Sequence, residues 1–121
     1  MSKYIIETGT REDRFIDSYL TSISWTQGYD QAGTDLDENC RREAIIDALA
    51  FFNRAWGAIG DDVIEQAAHD FWLSRNGHGT GFWDRDPEEY GGEFNVKRLQ
   101  AWAESFGEVT PFDEAGICQY N

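Results

Sequence analysis

Between Ala67 and Asp86 the chain reads AAHDFWLSRNGHGTGFWDRD, which holds both histidines, two of the five tryptophans and glycine at 77, 79 and 81. Several kinds of chemistry are open to such a stretch. Metal binding is one, since His69, His78 and Asp84 are competent ligands with Asp70 beside them. Yet His69 and Asp70 are adjacent, about 100° apart on a helix, and share a face poorly. The step from His69 to His78 crosses a helix end and matches no diagnostic zinc spacing. Acid–base or nucleophilic catalysis is another: Asp84 or Asp70 can orient the His78 imidazole, and Ser74 or Thr80 can supply a hydroxyl. No elbow motif surrounds Ser74, and neither cysteine has a histidine nearby in sequence. The glycine run follows a helix instead of opening one, and it lacks a P-loop lysine.

The same residues serve a structural purpose more simply. Arg75 or Arg85 can fork Asp70 or Asp84 and pin an irregular loop onto the preceding helix. Trp72 and Trp83 can stack on the guanidinium planes, and Asn76-Gly77 is a helix stop. On this reading Asp70, Trp72, Arg75, Asn76, Gly77 and Arg85 form a structural motif, with no catalytic residue, no metal ligand and no cofactor. The alternative is a small metal-dependent or acid–base hydrolase centred on His69, His78 and Asp84. A partner-binding use is also open, with Phe82 and Trp83 as an aromatic anchor ringed by Asp84, Asp86, Glu88 and Glu89.

The elements that must position this stretch follow from periodicity. Thr10 and Asp13 make a capping signal, and Phe15, Ile16, Tyr19, Leu20 and Ile23 predict a helix over Arg11 to Ser24, with Trp25 packing at its end. Gln27 to Thr34 reads as a loop. Asp35 and Glu38 open a second helix with an inward stripe of Ile45, Leu49, Phe52 and Trp56, Ile46 beside it, and Arg41, Arg42, Glu43, Asp47 and Arg54 on the solvated side. A third helix starts after Gly60 and stops at Asn76, with Ile64, Ala67, Ala68, Phe71 and Trp72 inward. His78 to Gly92 reads as irregular. Asn95 is expected to cap a fourth helix that buries Val96, Leu99, Trp102, Ala103 and Phe106. Val109 to Tyr120 reads as a terminal β-hairpin, packed on the helices or paired with the N-terminal segment. The expected class is therefore α+β: one domain over 1–121, mainly helical, with a small C-terminal hairpin.

Composition bounds the function. A chain of 121 residues with 40% hydrophobic and 15% aromatic content predicts one folded domain with a real core. It has no apolar run of about 18 residues, and MSKYIIETGTRED holds no long apolar h-region, so no secretory signal is expected. Cys40 and Cys118 read as free thiols in a reducing compartment. With 23 acidic against 10 basic residues and a net charge of −13, direct binding to nucleic acid or an anionic membrane is disfavoured. Such a surface suits a partner protein whose own surface is basic.

The run HDFWLSRNGHGTGFWDRD resembles the signature of a group of small acidic bacteriophage-encoded proteins, Gly-His-Asp-Phe-Trp-Leu-Thr-Arg-Asn-Gly-His-Gly-x-Gly-Phe-Trp-Asp-Arg. Ala68 replaces the leading glycine and Ser74 the threonine. The early Phe15, Tyr19 and Trp25 and the later Ala103, Phe106, Gly107, Glu108 and Val109 are similar too. The resemblance implies phage or mobile-element origin and action in the cytoplasm of a bacterial host. It implies no activity. Charge and resemblance together lead to the expectation of a non-enzymatic accessory protein that binds a host macromolecule, as a nucleic-acid mimic against a defence or DNA-processing protein.

Overall fold

The computed structural model describes residues 10–26, 38–76, 81–107, 109–110 and 119–120. Helix α1 spans Arg11–Thr26, α2 Glu38–Ala55, α3 Ile64–Arg75 and α4 Glu93–Ser105. Thr10 caps α1, its Oγ1 accepting from the Asp13 amide at 3.0 Å, so one orphan donor of the first turn is satisfied. A 3-10 turn at Asp61–Val63 leads into α3, and Asn76 follows its last residue. Two further 3-10 turns, Phe82–Asp84 and Pro87–Tyr90, fill the link to α4. Asp86 caps the second of these by accepting from the Glu88 amide at 3.1 Å, with Pro87 pre-set for the first position. Gly92 precedes α4 where Asn95 was expected, and Asn95 instead donates to the Tyr90 carbonyl at 2.9 Å.

The α+β class expected from the sequence is overturned. Every residue of the described core except Ile59 lies in an α-helix or a 3-10 turn. Extended pairing among the described residues is confined to one antiparallel ladder two residues long on each side, Val109–Thr110 (β1) against Gln119–Tyr120 (β2). That ladder is too short to act as a second structural layer, so the hairpin expected over Val109–Tyr120 is not an architectural unit and the domain is helical. The N-terminal segment invoked as its partner lies outside the described residues, as do the turn at 113–116 and Cys118.

Helix α3 is the shared element, packed against both α1 and α4. The core it completes is aromatic. Phe51 stacks on Phe71 at 4.2 Å between centroids, Phe15 on Phe52 at 4.9 Å, and Tyr19 on Phe71 at 5.0 Å. Burying each such ring contributes about 2–3 kcal/mol against exposure. Helix α2 sits rotated from its expected orientation. It buries Ala44, Ala48, Phe51, Phe52 and Ala55, leaves Ile45 and Leu49 at the core margin, and exposes Ile46 at 51%. Three alanines on that face let the flanking helices close around the phenylalanines.

Candidate functional site

Helix α3 aims Asp70, Ser74 and Arg75 inward, and all three are buried. The chain past residue 80 then folds back over them. Gly81 makes this possible: its φ is +111°, and a Cβ there would fall 2.1 Å from Ser74 Oγ and 3.0 Å from the Asp70 carbonyl oxygen. Only glycine allows the backbone so near. The Phe82 amide then donates to Ser74 Oγ at 3.2 Å, and the Ser74 hydroxyl donates to Gln100 Oε1 of α4 at 2.9 Å.

Three residues after Phe82 the turn brings Arg85 over Asp70. Arg85 Nε lies 3.0 Å from Oδ2 and Nη2 lies 3.0 Å from Oδ1, a bidentate fork onto a side chain with 0% exposure. The Tyr90 hydroxyl donates to Oδ2 of the same carboxylate at 2.7 Å. Burial, with the Asp70 charge beside it, pushes that hydroxyl far above its ordinary value of 10, so Tyr90 stays a donor. The hydrogen bond to Asp70 likewise raises the Arg85 guanidinium above its ordinary value. Gln66 closes the outer side, donating to Tyr90 Oη at 3.3 Å and to Glu89 Oε1 at 3.0 Å.

Arg75 occupies the centre of the four helices. Its Nη1 donates to Asp47 of α2 at 2.8 Å and to Tyr19 Oη of α1 at 3.1 Å. Its Nη2 and Nε donate to the Phe106 and Gly107 carbonyls, both at 2.8 Å, satisfying acceptors that the end of α4 leaves open. The Phe71 and Phe106 rings lie 5.6 and 5.5 Å from the same guanidinium. Asp47, expected on the solvated side of α2, is therefore an interior partner.

The residues singled out from the sequence thus part company. Asp70 and Arg85 make the arginine–carboxylate fork, while Asp84 stands exposed. Trp72 is buried edge-on to Tyr19, and Asn76 turns back to donate to the Trp72 carbonyl at 2.8 Å. Phe82, expected as half of a binding anchor, is corrected to a core residue with 0% exposure, stacked on Phe51 and edge-on to Tyr90. Trp83 beside it is 55% exposed. Asp84, Asp86, Glu88 and Glu89, which follow it in the chain, are exposed too. His69 is half-buried, its Nδ1 3.0 Å from Ser22 Oγ on α1. Ser22 donates its one hydroxyl proton to the Ser18 carbonyl, which leaves Oγ to accept from the imidazole. Burial lowers the His69 pKa, so the neutral ring is favoured. Gly77 and His78 lie outside the described residues.

Among the described residues no group of three or more His, Cys, Asp or Glu side chains is placed to hold a metal ion; His69 is half-buried against Ser22, and Asp84 is exposed. No family model, curated protein or solved structure matches the chain. No helix among the described residues is long and apolar enough to cross a membrane.

Sequence reasoning missed Tyr90, Gln100, Tyr19, Asp47 and Gln66 as members of the polar lattice. Their partners lie between 20 and 56 positions away along the chain, and no local pattern signals them.

Proposed function

We propose that this chain is a non-enzymatic accessory protein of phage origin that binds a host macromolecule, a protein with a basic, nucleic-acid-binding surface. One observation carries the reading. Asp70, Ser74, Arg75, Arg85 and Tyr90, the groups with chemical potential, are consumed in internal hydrogen bonds, whereas Trp83, Asp84 and Glu88 of the same segment face water. An exposed indole followed along the chain by exposed carboxylates is an anchor within a negative field. Gln66 of α3 donates to Glu89 of this segment, and Asp62, in the 3-10 turn before α3, is exposed as well. The net charge of −13 extends that field, and the resemblance of the 69–86 run to a phage signature supplies the cellular setting.

The face recognises what a phosphate backbone recognises. Incubation of the tagged chain with bacterial lysate tests this. A nucleic-acid-binding protein should be retained at low salt, released as salt rises past the screening range, and displaced by added duplex DNA. Retention of no such protein at low salt contradicts the reading.

A further inference from the structure

The chain carries 23 acidic residues against 10 basic ones, so an arginine placed at random would find a carboxylate. Arg11, Arg14, Arg42, Arg75 and Arg85 all do, each within 3.6 Å. Arg54 and Arg98 do not: neither makes an ion pair or a side-chain hydrogen bond among the described residues. Both converge on one ring, with their guanidinium carbons 5.2 and 4.8 Å from the Trp102 centroid. They come from different helices, Arg54 from the end of α2 and Arg98 from the exposed side of α4, where Phe94 lies 5.4 Å from Arg98. Between them is an open groove of about 240 Å³, lined also by Asn95 and the Gly57–Ala58 turn and, among the described residues, by no carboxylate.

Two like charges held at one indole repel each other, and an anion between them removes that repulsion. Guanidinium planes present paired N–H donors that match phosphate oxygens, and the ring beneath fixes their orientation. The groove is smaller than the range usual for drug-sized ligands, so it suits a phosphate group and the atoms next to it, not an extended cofactor.

We propose that the Arg54–Trp102–Arg98 groove binds a phosphate dianion, free or as a phosphomonoester. Neither Trp83 nor an acidic residue is among the described residues that line the site, and it does not depend on the role proposed for the rim around Trp83. The bland alternative is a cation–π brace that ties α4 to α2 and takes no ligand.

Isothermal titration of the full chain with inorganic phosphate and with a nucleoside 5′-monophosphate, at ionic strength matched with sodium chloride, separates the two. The proposal expects saturable binding in at least one arm, weakened tenfold or more in the Arg54→Gln/Arg98→Gln double variant. Equal affinity in both arms identifies the phosphate alone as the ligand, and tighter monophosphate binding adds its organic part. Thermal melts give a second readout: phosphate raises the midpoint of the wild-type chain over matched chloride, and the double variant shows no such rise. No binding by the wild-type chain overturns the proposal. Binding that the double variant retains also overturns it, as does a variant that loses stability while the wild-type chain ignores phosphate.

Discussion

Two halves of one short segment meet opposite fates. On the inner side, Asp70, Arg75 and Arg85 are ionisable groups locked into a lattice with Tyr19, Asp47 and Tyr90, and buried side-chain polar atoms lack no partner among the described residues. On the outer side, the side chains of Trp83, Asp84 and Glu88 make no hydrogen bond or ion pair with other described residues and face solvent. The residue types are alike, yet the first group specifies the fold and the second is spare. Composition therefore cannot separate a structural charge from a functional one. What separates them is whether each polar atom is already satisfied.

The inner half should break the fold when cut. Arg75→Leu would strand Asp47, the Tyr19 hydroxyl and two carbonyls at the junction of four helices. A loss of about 4 kcal/mol is expected, read from the midpoint of urea unfolding. Gly81→Ala follows, at roughly 3 kcal/mol, because it combines a positive φ with a collision against Ser74 Oγ. An unfolding midpoint unchanged in that variant would mean that the 81–85 turn does not seat on α3.

His69 lies between the two halves and gives a smaller effect, visible through pH. Burial holds its folded-state pKa below the ordinary 6.5, so the unfolded chain takes up the proton first. Stability contributed by the neutral ring is present above pH 6.5 and is lost as pH falls toward the folded value. Urea midpoints measured from pH 7.5 downward should decline in this window, and His69→Gln should flatten that part of the profile.

How far the sequence alone carries depends on the range of the forces involved. The first helix, its Thr10 cap and the stop of α3 at Asn76 were legible, because capping and periodicity act over a few residues. The orientation of α2 was not. Ile45, Ile46 and Leu49 form as good a stripe as Ala44, Ala48, Phe51 and Phe52, and only the neighbouring helices choose between them. The C-terminal hairpin fails for a related reason: strand-forming residues on either side of a turn signal a local pairing and not a layer, and among the described residues that pairing covers two residues on each side. Phe82 and Trp83 are adjacent and similarly apolar, and one 3-10 turn sends the first into the core and the second to solvent. Their separation follows from where the Gly81 backbone meets α3. The hydrogen-bond partners of Arg75, on α1, on α2 and just past the end of α4, depend on the assembled fold.

The smallest expected effect on stability belongs to the outer half, and it bears most directly on the central claim. In the triple variant Trp83→Ala, Asp84→Asn, Glu88→Gln the unfolding midpoint should correspond to a loss of about 1 kcal/mol, since both carboxylates are exposed and the indole, 55% exposed, gives up only its covered part. Retention of a DNA-displaceable host protein from lysate at low salt should fall at least tenfold against the wild-type chain. That pairing of an intact fold with lost binding is the result this account predicts. A triple variant that folds normally and still retains the same partner would contradict it.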